Sequence, residues 1–220
     1  MTPLIDATEM YLRTVYELEE EGIPAIRARL VERLGLTAPA VSETVARLEH
    51  EGLMSMGPDR MLTLSETGRE RARSVMRKHR LAERLLTDVI GLEFEQVHTE
   101  ACRWEHVISD RVEQRLVELL DAPHTDPHGN PIPGLGPDPR ASDVQSMTEA
   151  AKSGGPAVVA RISEKLQVDV EAMRFLSQHR LLPGTSVVLG LSGGMVTVTV
   201  DGATLVVAED TADYVYVTAA

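Results

Sequence analysis

Apolar residues recur at helical spacing over 4–21, where Ile5, Tyr11, Leu12, Val15, Tyr16 and Leu18 make one stripe. Gly22 and Pro24 end that helix. A short helix is predicted over 26–34, stopped by Gly35. Thr37 suits the N-cap of the next helix and Pro39 its first turn. Val41, Val45 and Leu48 form the inward stripe of that helix, which runs to about 51 and closes at Gly52. The stretches 53–56 and 61–64 read as short strands about a turn at 57–60. A long helix is predicted from 65 to about 90, then helices near 93–108 and 110–120. Proline and glycine interrupt the pattern over 122–156, which reads as a connector. Beyond it, short apolar runs at 158–162, 186–189, 195–200, 204–207 and 214–217 predict strands, with one helix near 169–178. Gly193-Gly194 and Asp201-Gly202 are hairpin signals. Strands this short and closely spaced predict a small β-barrel.

Helix, turn, helix and strand pair at the N-terminus predict a winged helix-turn-helix, with 40–50 as recognition helix. Its outward residues include Ser42, Glu43, Arg47 and His50, and Arg27, Arg29, Arg47 and Arg60 are candidates for phosphate contacts. Glu43 and Arg47 are also spaced for an i,i+4 ion pair, which would leave Glu43 reading nothing. Charge adds a constraint. The chain carries a net charge of −12, and residues 1–75 hold 9 Arg and no Lys against 13 Asp and Glu. This argues against indiscriminate binding to nucleic acid but leaves room for a locally basic DNA-reading surface, with affinity coming from local placement and from dimerisation.

The middle helices carry different chemistry. His79 and Glu83 are four apart, and His98, Cys102, Glu105 and His106 follow at steps of 4, 3 and 1. On helices these offsets draw two stripes of imidazole, thiol and carboxylate, which together can ligate a transition metal. Taken singly, a His/Glu pair is a solvated ion pair and a lone Cys a small buried residue. Three of seven histidines and the one cysteine fall within 28 residues, which on spacing alone leaves metal binding and ordinary packing evenly balanced. A single cysteine also excludes an intramolecular disulfide and suits a reducing cytoplasm. No basic-then-apolar leader and no run of 18 apolar residues is present, so neither secretion nor membrane spanning is expected.

Long motifs carry a family resemblance: residues 7–22 (ATEMYLRTVYELEEEG), 27–29, 75–86 (VMRKHRLAERLL), 100–106 (EACRWEH) and 129–134 (GNPIPG). The chain resembles the diphtheria toxin repressor/iron-dependent regulator family, densely to about 134 and more loosely beyond. The resemblance implies a winged-helix domain over 1–73, a helical metal-binding and dimerisation domain over 74–140, a flexible linker over 141–156 and an SH3-like domain over 157–220. It implies a cytoplasmic, metal-activated repressor that binds a palindromic operator as a homodimer, with two dimers on one operator as a further expectation. It assigns Met10, Cys102, Glu105 and His106 to a primary metal, and His79, Glu83 and His98 to an ancillary one. Arg80 and Asn130 would flank an anion. The sulfur of Met10 and Cys102 favours Fe²⁺ as effector, with Co²⁺, Ni²⁺, Zn²⁺ or Mn²⁺ substituting in vitro. A manganese-responsive regulator of the same fold is the alternative, and a metalloenzyme a more distant one.

Three positions depart from the family pattern. Glu43 and His50 stand where recognition helices of the family carry Gln and Arg. Aligned on Leu166-Gln167-Val168, the C-terminal ligand positions fall on Asp169, which is able to ligate, and Ala172, which is not. Asp126 replaces a serine near the anion, where it either substitutes for that anion or pairs with Arg80 directly.

Overall fold

The computed structural model describes residues 7–135 and 144–220. The chain divides into two compact units, Met1–His79 with Cys102–Arg115, and Arg80–Ala101 with Leu116–Ala220. The helical stretch expected as one domain over 74–140 is thus divided between them.

In the first unit α1 (Ala7–Glu20), α2 (Arg27–Leu34) and α3 (Ala38–His50) precede the antiparallel pair β1 (Met54–Met56) and β2 (Leu62–Leu64). Helix α2 stops because Gly35 adopts φ +64, and its N–H reaches the Val31 carbonyl at 3.1 Å. Thr37 is extended ahead of α3, as an N-cap should be, although its hydroxyl makes no capping bond. Val41, Val45 and Leu48 are all buried, and they join Leu12, Val15, Leu18, Leu30, Leu53, Leu62 and Leu64 in one core. The wing is tied to this body where the Leu62 N–H donates to the Ala25 carbonyl at 2.7 Å. The tip residue Arg60 has φ +64 and is exposed.

Helices α4 (Glu66–Leu85) and α5 (Phe94–Trp104) each run from one unit into the other, and α6 is Asp110–Leu119. Residues 86–90 continue α4 as one wider π turn, ended by Gly91.

The second unit contains a six-stranded antiparallel sheet. Its elements are β3 (Gln145–Ser146), α7 (Met147–Ser153), β4 (Gly155–Ile162), α8 (Glu164–Gln167), α9 (Val170–Gln178), β5 (Ser186–Ser192), β6 (Met195–Val200), β7 (Ala203–Val207), α10 (Glu209–Ala212) and β8 (Val215–Ala219). The strand order is β3-β8-β4-β5-β6-β7. Tight turns at Gly193-Gly194 and at Asp201-Gly202 join β5 to β6 and β6 to β7. Alternate residues of β4, β5 and β6 point inward to a core shared with Met147, Met173 and Leu176.

The stretch 141–156 is not a flexible linker throughout. Residues 141–143 lie outside the described residues, but Ser146 caps α7, and Met147, Ala150 and Ala151 are buried in the sheet's core. The proline- and glycine-rich stretch before it is likewise built. Asp126, His128, Asn130 and Ile132 are buried, and Gly129 makes this possible. At φ +85, a Cβ there would stand 2.2 Å from the Ala160 carbonyl oxygen of β4.

Candidate metal centre

Cys102, Glu105 and His106 lie at and just past the end of α5, where the helix loosens into turns. Glu105 is 1% exposed and collects three cationic or ring groups. Arg13 Nη1, from α1, donates to both of its oxygens at 2.8 and 2.6 Å, and His79 Nδ1 lies 2.6 Å from Oε2. His106 Nε2 is 3.1 Å from Oε1. Burial opposes the charge on Glu105, but Arg13 foremost, then His79 and His106, hold its carboxyl well below the usual range. The same Arg13 Nη1 is 3.6 Å from Cys102 Sγ, and Arg13 Nε donates to Glu17 at 2.6 Å. His106 is pushed up to about 9 by its bond to Glu105 and then by Glu9, whose Oε2 is 2.6 Å from Nδ1. Met10 sits half-buried on α1, its carbonyl accepting from Thr14 Oγ1 at 2.8 Å. A thiol and a carboxylate thus converge on one cationic nitrogen, with an imidazole beside the carboxylate. Thiolate, carboxylate and imidazole suit a borderline transition ion, so this donor set fits a divalent metal.

The second unit gathers another set. Glu83 Oε1 lies 3.2 Å from His98 Nδ1, and Glu164 Oε2 lies 3.3 Å from the same nitrogen. Glu83 Oε2 is 3.4 Å from His128 Nδ1, and the ligand atoms of Glu83, Asp126 and His128 all lie within 4.8 Å of one another. Gln167, one turn beyond Glu164 on α8, is fully buried; its Nε2 donates to the Ile162 carbonyl at 2.9 Å while its Oε1 has no donor among the described residues. Carboxylates outnumber imidazoles in this set, and a buried amide oxygen lies one turn from Glu164, so it fits a harder cation than the first set does.

Asp169 takes no part in either set. It is exposed, and its Oδ1 accepts from the N–H groups of Glu171 and Ala172 to cap α9. The capping bonds hold the side chain at the helix start, so the expectation that it ligates is corrected. Glu164 stands against His98 instead, with Gln167 on the same helical turn, upstream of the positions that alignment on Leu166-Gln167-Val168 selects. The signal that finds them is Ser163-Glu164 followed one turn later by Gln167, a single capped helical turn after a strand. Arg13 carried no sequence signal beyond its motif, and His128 none at all.

Where an anion was expected beside Arg80 and Asn130, the chain supplies carboxylates. Arg80 Nε lies 3.1 Å from Glu164 and 3.8 Å from Asp126, and Nη1 donates to the Pro131 carbonyl at 2.6 Å. Asn130 Nδ2 donates to Asp126 Oδ2 at 3.0 Å and to the Ile162 carbonyl at 3.0 Å. Burial first, then Glu83, raises the Asp126 carboxyl to about 7.

On α3, Glu43, Arg47 and His50 are exposed and Ser42 is half-buried. Arg47 does not pair with Glu43; its Nη1 donates to Glu51 at 2.7 Å and lies 3.4 Å from Thr8 Oγ1. Thr37, Pro39, Arg29 and Arg60 are exposed and Arg27 half-exposed, with Arg29 donating to Glu32 at 2.8 Å.

Residues 3–62 match the family model of the iron dependent repressor N-terminal DNA binding domain. Residues 65–134 match that of the iron dependent repressor metal binding and dimerisation domain, and residues 148–219 match the FeoA domain. The chain is 49% identical to the diphtheria toxin repressor of Corynebacterium glutamicum, over 99% of this chain and 98% of that one. It is 50% identical to the iron-dependent repressor IdeR of Mycobacterium tuberculosis, over 92% of each. Among solved structures, a manganese-dependent transcriptional repressor in complex with manganese superposes with a TM-score of 0.86 at 30% identity, covering 97% of this chain and all of that one.

Proposed function

We propose, from the premise that this chain belongs to the iron-dependent repressor family of metal-dependent transcription regulators, that ferrous iron is its effector and that iron switches on operator binding. Family members are DNA-binding repressors, not enzymes. The observation that carries the iron reading is the convergence of Cys102 Sγ and Glu105 on one cationic nitrogen, with His106 Nε2 against Glu105. Thiolate, joined by the Met10 thioether from α1, ranks Fe²⁺ above Mn²⁺, while Co²⁺, Ni²⁺ and Zn²⁺ would substitute in vitro. Met10 belongs to the helix that packs on α2 and β2 of the DNA-reading domain. Ligation from Met10 to residues 102–106 therefore restrains α1, and a metal that prefers the restrained form raises DNA affinity by that preference.

Glu83, His98 and Glu164, with Gln167 Oε1, are proposed to hold a second metal, with His128 and Asp126 bordering it. The regulator works in the cytoplasm as a homodimer on double-stranded DNA. Its two-fold symmetry asks for a palindromic operator, one dimer or two per site. The genes repressed are those of iron uptake.

Manganese is the second reading, favoured by the oxygen-rich second set. Anaerobic selection from a random DNA library, with no metal, Fe²⁺ or Mn²⁺, tests both. Selection of one palindrome with Fe²⁺ at lower metal concentration than with Mn²⁺ is expected. Selection without metal would overturn the switch, and activation by Mn²⁺ at the lower concentration would overturn the iron assignment.

A further inference from the structure

Glu9 stands immediately before Met10 on α1, and no motif singles it out for a role. Its Oε2 lies 2.6 Å from His106 Nδ1, and the His106 side chain is 6% exposed. At that distance the carboxyl oxygen is placed to accept from Nδ1–H. A ring that donates from Nδ1 and also ligates must do so through Nε2. That nitrogen lies 3.1 Å from Glu105 Oε1, on the side where Glu105 and Cys102 meet the Arg13 guanidinium. The two ring nitrogens are thereby assigned different tasks by their neighbours, one to α1 and one to the centre.

We propose that Glu9 is a positioning residue of the metal centre: by accepting from Nδ1–H it fixes the His106 tautomer and turns Nε2 towards the metal. This rests on His106 being a ligand. Glu9 also spans the same two segments as Met10, so it holds α1 to residue 106 whether or not Met10 is engaged. Outer carboxylates of this kind strengthen a ligand's basicity, and losing one costs about 10–100-fold in metal affinity.

The test uses full-length protein labelled with ¹⁵N-histidine and titrated with Zn²⁺, with His106 signals assigned by their loss in His106→Gln. Long-range ¹H–¹⁵N spectra of the zinc-loaded wild type should show Nδ1 protonated and Nε2 metal-bound. Glu9→Ala should weaken zinc binding about 10–100-fold by chelator competition, and Glu9→Gln, which keeps an acceptor oxygen, should recover part of the loss. A purely structural role for Glu9 would leave the tautomer unchanged in Glu9→Gln and Glu9→Ala alike. Zinc on Nδ1, or Glu9→Ala binding zinc as wild type does, would overturn the proposal while leaving His106 as a ligand. No zinc-dependent change at His106 in the wild type would overturn both this proposal and the ligand assignment beneath it. The wild-type spectrum decides the matter even if Glu9→Ala does not fold.

Discussion

Replacing Arg13 with alanine separates two things that Glu105 needs, a counter-charge and a metal. In the metal-free protein Glu105 is buried and ionised against Arg13, His79 and His106. Removing one partner of a buried pair costs about 3–5 kcal/mol. His79 and His106 remain, so the lower end, about 3 kcal/mol, is expected for Arg13→Ala. Once a divalent ion sits on Glu105, the counter-charge is supplied without the guanidinium. What is then lost is chiefly the Arg13–Glu17 pair, worth about 1 kcal/mol or less. The thermodynamic cycle requires the difference, about 2 kcal/mol, to reappear as metal binding roughly 30-fold tighter than wild type. Denaturant unfolding with chelator and with saturating Co²⁺, beside anaerobic calorimetry of Fe²⁺ binding, measures both sides of the cycle. Equal destabilisation in the two states, or weaker metal binding, would refute the view that guanidinium and metal neutralise the same carboxylate.

Other expectations follow from the same geometry. His106, raised from 6.5 to about 9, stabilises the metal-free fold fully below pH 6.5, and that contribution disappears as pH rises through about 9, so chelated protein should melt lower at pH 9 than at pH 6.5. The same proton competes with metal, so apparent affinity should climb about tenfold per pH unit below 9 from this group, with one proton released on binding near pH 8 in calorimetry across buffers. Glu164→Ala should lower bound metal from two ions per chain towards one at limiting excess, read by elemental analysis; retention of two would remove Glu164 from the second set. Glu43→Gln should change the preferred base at one symmetric position of each half-site, by about tenfold or more, since a correct base contact is worth about 1–3 kcal/mol. A uniform rise in affinity with unchanged preference would mean that Glu43 acts only by repelling phosphate.

The winged helix was legible because its signals are local. The stripe Val41, Val45, Leu48, the stops at Gly35 and Gly52 and the paired strands each depend on residues within one turn or hairpin. The cluster on the middle helices was legible for the same reason, as helical spacing brings Cys102, Glu105 and His106 near one another without tertiary information. What escaped came from distant segments. Arg13 meets Glu105 across 92 positions, and Arg80 meets Glu164 across 84. Glycine and proline over 126–134 look like a linker in sequence, yet Gly129 is there because β4 lies against it. Helix α7 was missed because its length gives little periodicity and its apolar residues serve the sheet's core. Asp169 was misplaced because a capping aspartate and a ligating one are alike until the helix start is located.

The Ile162 carbonyl accepts from both Asn130, on the loop, and Gln167, on the one-turn helix α8. Its side chain faces the sheet's core, so the atom that anchors the loop to the one-turn helix is the same in every protein with any residue at 162. A saturation scan reports on side chains alone. It would score position 162 for core packing and pass over its part in the site. An amide-to-ester exchange, which weakens the carbonyl as an acceptor and leaves the isoleucine intact, would expose it. Genetic surveys of proteins built this way will therefore undercount what shapes such a cluster, because part of the shaping is done by a group no codon specifies.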